Sequence, residues 1–229
     1  MLVMLCWGFA PFFAARPSRL SVVVSLARTL GIMKSTTVDY LSTSDGQQLV
    51  ESMTSKNGRY VLAWRDSYGQ GNYGSRLKGK GLYWLFGGTT ETQRRELERP
   101  NDGCIADNGS HSICDWLFTS KRESVYYLFA ADGSLLIKKP LKARICSTAL
   151  SDNGMFGVCH TSHSDHWKHS NLPFLFSGVD GSLIWHQMPP FQPAKYEFDT
   201  ERGYLHVFPK PQHTHHQFIT CTLTLQRRT

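Results

Sequence analysis

Short runs in which apolar and polar positions alternate recur along the chain, and their order repeats. Four segments, KNGRYVLAW from Lys56, DNGSHSICD from Asp107, DNGMFGVCH from Asp152 and ERGYLHVFP from Glu201, each carry a polar pair leading into a glycine and then a β-rich run. The glycines Gly58, Gly109, Gly154 and Gly203 stand 51, 45 and 49 residues apart. A polar pair before glycine suits a tight hairpin turn, because glycine accepts a positive φ without a Cβ clash. Tyr60, His111, Phe156 and Leu205 follow the glycine by two residues, and Leu62, Ile113, Val158 and Val207 by four. That period of two marks one face of a strand, so the last four residues are the expected core of each unit.

A second strand follows in the first three units: LYWLF from Leu82, VYYLF from Val125 and LPFLF from Leu172. Two of these run into a further hairpin, ADGSLLI from Ala131 and VDGSLIW from Val179, whose Asp-Gly pairs are strong turn signals; in the first unit Gly87-Gly88-Thr89 takes that place. A short run such as CSTALS from Cys146 or AKYEF from Ala194 precedes the polar-Gly turn. Each unit therefore reads as strand A, turn, strand B, loop, strand C, turn, strand D. Four antiparallel strands every 45 to 50 residues resemble the blades of a β-propeller, and the turn, strand, loop and aromatic strand are similar to WD-repeat blades, over about Asp45 to Thr224. The Trp-Asp and Gly-His signatures of WD repeats are absent, since Trp116 follows Asp115. The resemblance implies an all-β, β-propeller-like array of about four antiparallel four-stranded blades, open, closed at four, or completed by an oligomeric partner. A sandwich or barrel with coincidental turns is the alternative.

With 229 residues, 41% hydrophobic and 19% charged, the chain suits one folded domain, and 13 Phe, 9 Tyr and 6 Trp lean toward sheet. Residues 34–229 form the expected repeat domain and residues 1–33 an apolar and basic extension. The opening run LVMLCWGFAPFFAA has the length of a signal-peptide core, but it is too short to span a bilayer and Pro11 interrupts it. Three readings stay open: a signal or targeting segment, which would mean secretion; a loosely attached helix; or an extension upstream of a true start at Met33, which would mean a cytoplasmic protein. Six cysteines without a CxxC pair argue against a disulfide scaffold or zinc finger. Cys114 and Cys159, both five residues after the turn glycine, read as buried thiols in equivalent places.

In a meander the A–B and C–D turns share one end of a blade, so the longer B–C loops and D–A linkers share the other. The net charge of +7 then separates in space: Asp107, Asp132, Asp152, Asp180, Asp199 and Glu201 sit in turns, while Arg94, Arg95, Arg99, Lys138, Lys139, Lys142, Arg144 and Lys195 fall in the linkers. Loops carry function more often than turns do. The first B–C loop interleaves Arg65, Arg76, Lys78 and Lys80 with Tyr68 and Tyr73, a mix that can follow a phosphate backbone while rings stack on bases. Lys121, Arg122, Trp167 and Lys168 extend this face as ligand or partner contacts. His160, His163, His166 and His169 recur every third residue around Asp165, and His213, His215 and His216 crowd the equivalent loop of the next unit. Of these, His163, His166, His169, His213, His215 and His216 are candidate ligands for zinc or a similar divalent metal. There is no GxSxG elbow, HExxH helix or dinucleotide fingerprint. The expectation is a non-catalytic binding or interaction module that takes a protein or anionic ligand, nucleic acid included, on its basic, His-rich face. A metal-dependent enzyme built on the histidine loops and a structural repeat of a larger assembly are the alternatives.

Overall fold

The computed structural model describes residues 19–21, 37–43, 46–66, 80–117, 122–188, 193–209 and 219–222. Strand and turn account for the regular structure among them, and no helix is long and apolar enough to cross a membrane. The strands are β1 (Arg19–Ser21), β2 (Thr37–Thr43), β3 (Gly46–Thr54), β4 (Tyr60–Arg65), β5 (Gly81–Gly87), β6 (Thr90–Leu97), β7 (Pro100–Ile105), β8 (His111–Trp116), β9 (Ser124–Phe129) and β10 (Leu135–Leu141). They continue with β11 (Ile145–Leu150), β12 (Phe156–Thr161), β13 (Pro173–Ser177), β14 (Leu183–Trp185), β15 (Pro193–Asp199), β16 (Tyr204–Pro209) and β17 (Ile219–Thr222).

All pairings are antiparallel between sequence neighbours, giving meanders β1 to β6, β7 to β10, β11 to β14 and β15 to β17. Strands β3–β6, β7–β10 and β11–β14 are the three complete A-to-D units expected from the repeat. The hairpin of β2 onto β3 and the short β1, which lies inside the N-terminal extension, add to the first sheet. The chain is thus an all-β, propeller-like array.

Consecutive sheets pack face to face. Leu62, Trp64, Tyr83 and Leu85 of the first sheet meet Ile105, Ile113 and Phe129 of the second. Tyr126, Leu128, Ile137 and Leu141 of the second meet Ile145, Cys159, Phe174 and Phe176 of the third. Phe156, Val158 and Leu175 of the third meet Tyr196, Leu205 and Val207 of the fourth. Strand B of the inner sheets is apolar on both faces because both faces are covered, which is why its alternation is weak in the sequence.

The four marker residues Leu62, Ile113, Val158 and Val207 are buried to 1% exposure or less, yet they do not share a face. Six residues, 55–60 and 151–156, separate the last A–B pairs Thr54↔Val61 and Leu150↔Gly157, but only five, 106–110, separate Ile105↔His111. One residue fewer flips every following side chain to the other face. Ile113 therefore looks back to the first sheet while Leu62 looks forward to the second. In the fourth unit four residues, 200–203, separate the last pair Asp199↔Tyr204, the glycine sits one place later relative to the middle of the connection, and Val207 also looks backward. The expected equivalence of Cys114 and Cys159 fails for the same reason: one lies on the forward face of its sheet and the other on the backward face, and they meet in one interface.

The turn end is stitched between units. In the first and third turns a serine hydroxyl bonds the asparagine carbonyl, Ser55 to Asn57 and Ser151 to Asn153, each at 2.9 Å. Asn57 N–H donates to Asp107 Oδ1 at 2.7 Å, Asn57 Nδ2 to Asp107 O at 2.9 Å, and Asn108 Nδ2 to Asn153 O at 3.0 Å. Gly58, Gly109, Gly154 and Gly203 have φ between 71° and 93°, as the turns require. The linkers are shorter than expected, because Arg94, Arg95, Lys138, Lys139 and Lys195 lie inside β6, β10 and β15. Arg95 reaches away from the loop end to donate to Gly133 O at 2.8 Å, with its guanidinium 4.8 Å from the Phe129 ring.

Candidate thiol–imidazole site on the loop face

The loop end of the A strands is broken in register. Between Ile145↔Thr161 and Ser147↔His160 the extra residue is Cys146, and the same break falls between Pro100 and Asp102 and between Pro193 and Lys195. A β-bulge bends its strand and re-aims the side chain at that point. Here it turns Cys146 out to solvent, whereas Cys104, Cys114 and Cys159 are buried.

Opposite the bulge stands His160, in β12 and only 2% exposed. Cys146 Sγ lies 3.8 Å from His160 Nδ1 and 3.3 Å from His160 O. One thiol proton cannot serve both acceptors at once. It rests on the carbonyl or passes to the imidazole, leaving a thiolate beside an imidazolium. The His160 ring is braced edge-on by Tyr196 of the next sheet, with centroids 6.0 Å apart. Further along the A strands, Thr148 Oγ1 donates to Asp102 Oδ2 at 2.8 Å and stands 3.3 Å from Cys104 Sγ, tying β11 to β7 beneath the site.

The loop from Ser162 to Asn171 closes over β12. Thr161 Oγ1 donates to His169 O at 2.5 Å, and Lys142 N–H donates to His169 Nδ1 at 2.8 Å. Burial, then neighbouring His166 and the lysines Lys139, Lys142 and Lys168, lower the pKa of His169 and keep it the neutral acceptor that Lys142 needs. His163 Nδ1 faces Ser170 Oγ at 3.3 Å, and the His166 and His169 rings lie 4.7 Å apart. The structure thus brings His166 and His169 together, and it uses one nitrogen each of His163 and His169 to hold the loop. Among the described residues no group of three or more His, Cys, Asp or Glu side chains could hold a metal; His213, His215 and His216 lie outside those residues.

Of the proposed ligand-face residues, Lys80, Arg122, Trp167 and Lys168 are exposed, Trp167 at 78%. Arg65 is half-buried with its guanidinium 5.9 Å from the Trp84 ring, a packing role. Tyr68, Tyr73, Arg76, Lys78 and Lys121 lie outside the described residues. The sequence groups His160 with the loop histidines and leaves Cys146 unmarked, because nothing local signals a bulge that depends on pairing with a residue 14 positions further on.

The chain matches no protein-family model and no curated protein. Similar solved structures are the periplasmic gluconolactonase of Pseudomonas aeruginosa (11% identity, TM-score 0.45, covering 85% of this chain and 69% of that one) and Hsv2 of Kluyvelomyces marxianus (10%, 0.41, 79% and 58%). A third is a Bacteroides fragilis protein proposed to be a 6-phosphogluconolactonase (12%, 0.37, 82% and 65%). The chain spans 58 to 69% of the length of these proteins. The expectation of a non-catalytic binding module is corrected: two of the three are named as lactonases. Identities this low do not carry either activity over to the present chain. The WD-repeat likeness likewise reduces to a propeller-like arrangement.

Proposed function

We propose that the chain is a thiol-dependent acyl hydrolase, with Cys146 as nucleophile and His160 as general base and acid. The observation that carries this reading is the exposed Cys146 Sγ at 3.8 Å from the buried His160 Nδ1. A nucleophile needs access and a base needs fixed orientation; the bulge supplies the first, and burial against Tyr196 supplies the second. His160 Nδ1 takes the thiol proton as Sγ bonds to the carbonyl carbon of an ester or lactone. As the C–O bond breaks, the departing oxygen receives that proton, leaving the acyl group on Cys146. Water, deprotonated by His160, then attacks the thioester; the C–S bond breaks, the acid leaves and the thiol is restored. The likeness of the sheets to WD-repeat blades is one of strand order and turn position, and the activity does not depend on it.

The test uses the full chain with p-nitrophenyl acetate and a six-membered lactone, beside Cys146→Ser and His160→Gln. Both variants should lose at least about 100-fold in kcat/KM while keeping the wild-type circular dichroism. Iodoacetamide should alkylate Cys146 ahead of Cys104, Cys114 and Cys159, and faster in wild type than in His160→Gln. Hydrolysis undiminished in Cys146→Ser, or equal alkylation with and without His160, would overturn the assignment.

A further inference from the structure

Between the second and third sheets, on the loop face, two arginines flank one indole. Trp116 is pinned by its Nε1–H, which donates to Ile145 O at 2.9 Å. The Arg144 guanidinium lies 4.6 Å from the Trp116 ring centroid and that of Arg99 6.0 Å. Arg99 Nε pairs with the buried Asp66 Oδ2 at 2.9 Å, so its charge is answered within the fold. The carboxylate of Asp115 is likewise engaged, by the backbone N–H groups of Glu98 at 3.2 Å and Arg99 at 2.5 Å. Arg122 stands exposed at φ 53° in the loop joining β8 to β9, a backbone conformation that a side chain other than glycine rarely adopts.

Arg144 is half-buried, and the influences on its charge are desolvation, then Arg122, then Arg99, all unfavourable to the cation. Like charges gathered in this way raise the free energy of the unliganded protein, and an anion placed among them relieves it. With Arg99 answered by Asp66, Arg144 against the indole and Arg122, whose charge acts unfavourably on it, leave about two positive charges for an anion to meet. A phosphate monoester carries about −1.5 to −2 at neutral pH and presents several oxygens to guanidinium forks.

We propose that Arg144 and Arg122, backed by Trp116, form a seat for a small phosphorylated ligand. Arg144 supplies the fixed fork, held in plane by stacking on an indole that is itself hydrogen-bonded. Arg122, exposed at the start of the segment leading into β9, supplies the second charge. Arg144 lies two residues from Cys146 along the chain, and binding at the seat does not require the reaction proposed for Cys146.

The experiment is calorimetric titration of the full chain with inorganic phosphate and with glycerol phosphate at fixed ionic strength, using chloride and acetate as comparison anions. Wild type should bind both phosphates at least tenfold more tightly than acetate. Arg144→Gln and Arg122→Gln should each weaken binding about tenfold. Arg144→Lys, which keeps charge and most of the stack, should weaken it about threefold while folding as wild type. Arg59→Gln, on the opposite face, and Cys146→Ser should bind as wild type, which separates this inference from the hydrolase reading. Phosphate bound no better than acetate, or binding unchanged in both Arg144 variants, would overturn the proposal. So would a single-stranded oligonucleotide binding far more tightly than either phosphate with the same dependence on Arg144, since the seat would then belong to a polymer.

Discussion

His111 should make the protein lose stability as the pH falls below 6.5. The residue is fully buried between the first and second sheets, its ring stacked 4.8 Å from Phe129 and tilted 5.7 Å from Tyr83. Nδ1–H donates to Gly109 O at 3.2 Å, and with the Gln93 amide nitrogen turned toward it, Nε2 accepts at 3.0 Å while the amide oxygen faces Arg95. A proton added at Nε2 would meet another N–H. Burial above all lowers the pKa from 6.5 to about 4; the Gly109 carbonyl pulls the other way and Arg95 adds to the lowering. Because the folded value lies below the unfolded one, the unfolded chain takes up the proton first. The contribution is complete above pH 6.5 and fades as the pH falls toward 4. The gap between 6.5 and about 4 corresponds to roughly 3 kcal/mol in all, of which about 2 kcal/mol is lost between pH 7.5 and 5.0. Urea unfolding of wild type and His111→Phe at both pH values measures it. The variant can be less stable overall, since Gly109 O and Gln93 lose a partner, but its fall between the two pH values should be smaller by about 2 kcal/mol. Equal falls in the two proteins would refute the reasoning.

Ile113→Ala should cost about 2–5 kcal/mol in chemical denaturation, since the side chain is wholly enclosed between two sheets; a cost under 0.5 kcal/mol would place it at a surface. Gly178→Ala should lower the melting temperature by about 4–8 °C, equivalent to about 2 kcal/mol for a chain of this size, because the new Cβ would lie 1.9 Å from Gly154 O and drive the C–D turn off the A–B turn. Gly88→Ala, with nothing within 4 Å but a φ of 61°, should cost only about 1 kcal/mol, so equal losses at the two positions would show that crowding is not the cause.

The turn glycines carried most of what was legible. Asn57-Gly58, Asn108-Gly109 and Asn153-Gly154 are local signals, set by φ and by an asparagine bonding its own turn, so strand order, antiparallel pairing and the split between a turn end and a loop end could be read from sequence alone. The burial of Leu62, Ile113, Val158 and Val207 followed from the same spacing. Which neighbour each one faces did not. A connection of five residues instead of six leaves the glycine pattern intact yet flips the strand, and only pairing between β7 and β8 reveals it. Cys146 and His160 show the same limit more sharply. Nothing within a few residues of Cys146 distinguishes it from the buried cysteines. The bulge arises from a mismatch against a partner strand, and His160 becomes its neighbour only when β11 and β12 are in register. Local conformation is written in short stretches of sequence because it depends on φ, ψ and nearby hydrogen bonds. The meeting of a thiol and an imidazole depends on distances between strands, which come into being only with the folded sheets.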